Sequence, residues 1–212
     1  MPPKLKVTQR SRLALAAAAF ALTACGTSGG GPSVTVPGAP ELSTAGLPRP
    51  LAQNVEQANV IIDGKGDLLK KKLAGLHGFP VVVNQWASWC GPCRFEFRFF
   101  QTEARKYSAD VAFLGLDMRD AKKEAANFLG DIPSAFPSIF DPKAAYTSSL
   151  GGGRISPSTF FIDRDGKVIH ASPGAYANVR ALDEDVVRYA KPSEPAGRGL
   201  RAAKGANTPP ER

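Results

Sequence analysis

The feature that most constrains this chain is a pair of cysteines, Cys90-Gly91-Pro92-Cys93, set at a change of hydrophobic pattern. Before them, Phe79-Pro80-Val81-Val82-Val83 is a continuous apolar run, which predicts a buried strand. After them, Arg94 to Tyr107 has helical periodicity. Two thiols therefore fall where a central strand ends and a helix begins. A helix N-terminus presents unpaired N–H groups and the positive end of the helix dipole. A thiolate at Cys90 is favoured there, and the thiolate is the species that attacks a disulfide. The two intervening residues keep Cys93 within reach, and Pro92 suits a first helical turn. This spacing beside a βαβ pattern points to thiol–disulfide chemistry. The competing reading is half of a structural zinc site, which needs four ligands. The remaining candidates are Cys25, His77 and His170, and no second pair has zinc-site spacing.

On a helical wheel, Cys93, Phe97, Phe100, Ala104 and Tyr107 form one stripe, which predicts the face turned to the sheet. Cys93 is therefore expected to be more buried than Cys90. Arg94, Arg98 and Arg105 form an exposed basic stripe. Glu96 lies one turn beyond Cys93 at the edge of the buried stripe. A carboxyl there would have its pKa raised by desolvation and could exchange a proton with Cys93. The alternative is a surface Glu paired with a neighbouring Arg. Phe95 and Phe99 lie one turn apart on a different face. They either pack under another helix or form an exposed apolar patch that receives a partner.

Elsewhere the pattern predicts strands at 60–62, 81–85, 111–116, 136–141, 158–163 and 168–171. Helices are expected at 67–76, 94–107, 121–129, 144–150 and 179–189. Arg164-Asp165-Gly166-Lys167 carries a hairpin signal. The order implies an α/β domain with a mixed central sheet and helices on both faces.

The ends read differently. Residues 1–12 are basic, Leu13 to Leu22 is an apolar run too short to span a bilayer, and residues 1–24 read as a signal peptide. Leu22-Thr23-Ala24-Cys25 resembles a bacterial lipobox, in which Cys25 becomes lipidated; an ordinary signal peptide is the alternative. Residues 25–50 are rich in Gly and Pro and read as a flexible linker. The folded domain is expected over 51–190, and 191–212 as a disordered tail. Of the formal net charge of +8, +4 lies in residues 1–24 and +3 in 191–212. The domain itself is nearly neutral, which argues against a nucleic-acid surface.

The segment Val81-Val82-Val83-Asn84-Gln85-Trp86-Ala87-Ser88-Trp89-Cys90-Gly91-Pro92-Cys93-Arg94-Phe95-Glu96 resembles the active site of TlpA/ResA-like thiol–disulfide oxidoreductases of the thioredoxin superfamily. Ser156-Pro157-Ser158-Thr159-Phe160-Phe161-Ile162-Asp163 resembles their cis-proline strand. The interval between Cys93 and Pro157 leaves room for an extra helix–strand insertion in a thioredoxin fold. The resemblance implies Cys90 as attacking cysteine, Cys93 as resolving cysteine and Glu96 as active-site acid. It implies Pro157 as the cis-proline, with Trp89, Ser156 and Pro157 receiving substrate. Asn84 stands where thioredoxins place a buried Asp. Four features depart from the family pattern. Gln85 replaces an aromatic, Arg98 replaces a kink proline, Ser156 replaces an apolar residue, and Gly151-Gly152-Gly153 loosens the approach to Pro157.

The expected function is an extracytoplasmic thiol–disulfide oxidoreductase, reducing protein disulfides, with no metal or organic cofactor. It would be lipid-anchored to the outer face of a bacterial cell membrane. Implied partners are exported proteins bearing disulfides or thiols, such as an apocytochrome, and a membrane redox protein. Gly-Pro between the cysteines points to the reducing end of a range of roughly −270 to −120 mV. The alternatives are a disulfide donor, a peroxiredoxin-like peroxide reductase and a non-catalytic carrier. Against the peroxidase, Ala87 stands where a peroxidatic Thr would be.

Overall fold

The computed structural model describes residues 33–38 and 40–191. In chain order the elements are β1 (Val34–Thr35), α1 (Arg49–Val55), β2 (Val60–Asp63), α2 (Leu68–Gly75), β3 (Val81–Trp86), α3 (Gly91–Lys106) and β4 (Ala112–Met118). There follow α4 (Lys122–Asp131), β5 (Ser138–Asp141), α5 (Ala145–Ser149), β6 (Ser158–Ile162), β7 (Val168–Pro173) and α6 (Val179–Asp185). A π-helical turn, Val186–Ala190, closes the described chain.

The strands form one sheet in the order β1-β2-β5-β4-β3-β6-β7. β2, β5, β4 and β3 are parallel. β1, β6 and β7 are antiparallel to their neighbours. The apolar run that opened the sequence reading is β3, every residue of it buried, with β4 on one side and β6 on the other. Alternation along β3 divides the core in two. Val82 and Trp86 join Phe97, Phe100 and Phe128 under α3 and α4. Val81 and Val83 join Leu51, Leu69, Leu114 and Phe160 on the opposite face. Truncating a buried phenylalanine such as Phe97 to alanine costs about 3–5 kcal/mol. The expected mixed sheet with helices on both faces is what forms. It is a thioredoxin-like arrangement, with α4, β5 and α5 in the interval before Pro157.

Three expectations give way. Residues 33–50, read as linker, add an edge strand, and Val36 enters the core. Their β-branched Val34-Thr35-Val36 pairs with β2, and the Asn59 side chain donates to the carbonyls of Val36 and Pro37. Composition averaged over a Gly/Pro-rich stretch conceals three residues with strand chemistry. Helix α1 begins before Leu51, with Pro50 in its first turn, where a missing N–H costs nothing. The closing helix changes winding at Val186, and Lys191 N–H reaches the Val186 carbonyl. The signal peptide, Cys25 and residues 192–212 lie outside the described residues. Among the described residues, no helix is long and apolar enough to cross a membrane.

Candidate active site

Cys90 caps α3, and its Sγ accepts from the Cys93 N–H at 3.3 Å. The two cysteines form a disulfide with a Cα–Cα distance of 5.3 Å. Both are buried, Cys93 slightly more than Cys90, as the helical stripe predicts. The preceding loop is held from β4's end: Ser88 donates through N–H (2.5 Å) and Oγ (2.9 Å) to the Asp120 carboxylate. Trp89 is 60% exposed, and its indole N–H donates to the Arg119 carbonyl. α3 then runs unbroken through Arg98, where no proline interrupts it.

The Ser156–Pro157 peptide is cis, and it comes to the disulfide from the β6 side. Ser156 Oγ lies 3.6 Å from Cys93 Sγ and 3.8 Å from Cys90 Sγ, so one hydroxyl touches both sulfurs. The Ile155 carbonyl just before it accepts from Gln85 Nε2 (3.2 Å) and Ser158 Oγ (2.9 Å). Gln85, in place of an aromatic, thus ties β3 to this loop. The three glycines before this loop differ in their surroundings. Gly152 packs on Phe160, where a Cβ would lie 2.4 Å from the ring, so the glycine serves close packing.

Glu96 is 0% exposed and, among the described residues, has no cation beside it, so the surface ion-pair reading is set aside. Its Oε1 accepts from Asn84 Nδ2 at 3.0 Å and its Oε2 from the Tyr176 N–H at 2.8 Å. Burial raises its pKa to about 7, against these two donors, which lower it. Tyr176 is in turn fixed by its hydroxyl, which donates to Asp185 at 2.9 Å.

A second buried carboxyl went unnoticed in the sequence. Asp117, beside Trp86 in the β3–β4 register, is fully buried, and neither carboxylate oxygen has a hydrogen-bond partner. Burial, then the negative charge of Asp120, pushes its pKa up to about 9. Only its place in β4, seen beside Asp120, could have marked it. Phe95 and Phe99 part company. Phe99 is 8% exposed and Phe95 50%, edge to face at 5.4 Å, with the Arg98 guanidinium over both rings. Near Trp89, a groove of about 490 Å³ runs between Ser88, Arg94, Asp120, Glu124 and Phe128. Among the described residues, no group of three or more His, Cys, Asp or Glu is placed to hold a metal.

The family model described as Redoxin matches residues 50–186. The thiol-disulfide oxidoreductase ResA of Bacillus subtilis is 26% identical over 59% of this chain and 69% of its own length. The thiol:disulfide interchange protein DsbE of Pasteurella multocida is 29% identical over 57% of this chain and 66% of its own. The chain thus spans about two thirds of the length of these relatives. Among solved structures, a candidate thiol:disulfide interchange protein DsbE from Chlorobium tepidum superposes with a TM-score of 0.51 at 30% identity, over 62% of this chain and 86% of that one. The chain belongs to the Redoxin family, and its relatives are thiol–disulfide oxidoreductases of the ResA and DsbE type.

Proposed function

We propose that this Redoxin-family chain is an extracytoplasmic thiol–disulfide oxidoreductase that reduces disulfides in exported proteins. The observation that carries the reading is the Cys90–Cys93 disulfide capping α3, with the Ser156 hydroxyl touching both sulfurs. In the reduced enzyme, the Cys90 thiolate attacks a substrate disulfide. A mixed disulfide forms, and one substrate thiolate leaves. Cys93, one turn from Glu96 on α3, loses its proton to that carboxylate. The Cys93 thiolate then attacks Cys90 Sγ, the second substrate sulfur leaves as thiolate, and the enzyme ends oxidised. Glu96 suits the exchange because a carboxyl with a pKa near 7 can both take and return a proton near neutrality. Trp89, Ser156 and Pro157 form the surface that receives an extended substrate segment, with half-exposed Phe95 at its border.

Cys25 is the lipid attachment point, and the chain after it leads to the domain at the outer face of a bacterial cell membrane. A membrane redox protein returns electrons to Cys90–Cys93, and the substrate is an exported protein bearing disulfides or thiols, such as an apocytochrome. The reduction potential tests the direction. A value near −270 mV supports a reductase, whereas one near −120 mV makes the protein a disulfide donor. Insulin reduction tests the chemistry itself: the parent should turn over and Cys90→Ser should not. Mass spectrometry of the mature N-terminus tests the anchor; a first residue other than lipid-modified Cys25 removes it.

A further inference from the structure

The groups around Glu96 are unequal in one respect. On Oε2 it meets the Tyr176 backbone N–H, which can only donate. On Oε1 it meets Asn84, whose amide carries both a donor and an acceptor. Asn84 is buried, and its own Oδ1 finds no partner. Opposite Asn84 across the β3–β6 ladder stands Thr159, also fully buried, with its hydroxyl oxygen unpaired. Two unpaired polar atoms on facing residues, beside a buried carboxyl, need a reason, because each costs about 1–3 kcal/mol.

The chemistry of the pair supplies one. A carboxylate at position 96 needs donors on both oxygens, and it has them: Asn84 Nδ2 and Tyr176 N–H. A protonated carboxyl needs an acceptor for its O–H. Since Tyr176 N–H occupies Oε2, the proton belongs on Oε1, facing Asn84. Turning the Asn84 amide over exchanges Nδ2 for Oδ1 at that place. The hydroxyl of Thr159 does not bond Asn84 in this orientation, but it can both donate and accept.

We propose that Asn84 is a positioning residue whose side-chain amide turns over as Glu96 gains and loses its proton, donating to the carboxylate and accepting from the acid. The proposal rests on reading Glu96 as the proton partner of Cys93. The proton leaves Cys93 Sγ as its thiolate forms, goes to Glu96 Oε1, and returns by the same route when the cycle runs backwards. Other groups face this site. Tyr176 brings its phenol, bonded to Asp185, from the loop before α6, and Cys93 lies one turn earlier on α3. None of these contributes a cation.

The test is NMR titration of the oxidised full-length protein, following the Glu96 side-chain carboxyl carbon and the Asn84 side-chain NH₂. In the parent, the Asn84 resonances should move with the same midpoint as Glu96. In Glu96→Gln, which keeps Asn84, they should be independent of pH across that range. Asn84→Leu removes both donor and acceptor, and should raise the Glu96 midpoint by about one unit. It should shift the pH profile of insulin reduction in the same direction. Asn84 resonances that ignore the Glu96 titration, or an unchanged midpoint in Asn84→Leu, overturn the proposal. Insulin reduction separates the two readings. A chain that couples Asn84 to Glu96 but reduces no disulfide loses the oxidoreductase reading alone. An active chain without the coupling loses only the role of Asn84.

Discussion

Two of the buried carboxyls, Glu96 from α3 and Asp117 from β4, lie on the same face of the sheet, and their surroundings differ in kind. Glu96 has a donor on each oxygen and no neighbouring negative charge close enough to bond it. Asp117 has no donor among the described residues, and the charges that act on it are carboxylates, Asp120 and then Asp141. Burial raises both pKa values, but the donors stop Glu96 at about 7, whereas Asp117 goes to about 9. Burial alone therefore does not make a working acid. Of these two, only Glu96 sets burial against donors; Glu103, buried farther along α3 and also raised to about 7, sets it against the Lys106 charge instead. Asp117 stays protonated at neutral pH, as a polar filler beside Trp86. Asp120 in turn accepts from Ser88 and from the Ala121 N–H just before α4.

The contrast can be broken most directly by neutralising each acid. Glu96→Gln should slow insulin reduction at pH 7 by about 10²-fold, the usual weight of a positioned acid–base group. Asp117→Asn should leave that rate within about twofold, because it imitates the form already present. Equal losses in the two variants would end the distinction.

Stability against pH gives the next largest effects. For Glu96 the folded-state pKa is above the unfolded one. The unfolded chain therefore loses its proton first, and stability falls as pH rises from about 4 to about 7. Glu96→Gln should gain on the parent across that window, reaching about 3 kcal/mol above pH 7 in urea unfolding. For Asp117 the same sign holds over a wider window, from about pH 4 to about 9. Asp117→Asn should therefore keep gaining on the parent between pH 7 and 9, where Glu96→Gln has levelled off. Parallel curves for the two variants would show that their environments are alike.

Smaller effects sharpen the picture. Asp120→Ala removes the acceptor for Ser88 and for the Ala121 N–H before α4, and should cost about 1–2 kcal/mol. It should also lower the Asp117 midpoint, since Asp120 raises it. Ser156→Ala removes the hydroxyl shared by the two sulfurs. A rate change of about fivefold or less is expected, as for a neutral hydrogen bond of about 1 kcal/mol. Stopped-flow mixing with a disulfide substrate measures it.

Much of this arrangement was legible beforehand. The valine run, the Cys pair and the α3 stripe each follow from local periodicity, so β3, α3 and the relative burial of Cys93 and Cys90 emerge as expected. Glu96 was placed at the edge of that stripe by spacing alone. Its donors were not: Tyr176 is 80 residues away in sequence and contributes only a backbone N–H, which no side-chain pattern records. Asp117 looked like the polar end of a strand. Val34–Val36 were hidden in a composition that suits a linker. Phe95 and Phe99, one helical turn apart, could be separated only by what lies over each ring.

By itself the sequence determined the reaction type, since two thiols at a strand-to-helix junction meet whenever that junction forms. It also determined which helix face turns inward, because a 3.6-residue period admits one apolar side. The tertiary structure decided which buried acids titrate near neutrality and that a single hydroxyl before Pro157 contacts both sulfurs. Those depend on donors and charges brought together from distant strands, and local periodicity carries no information about them.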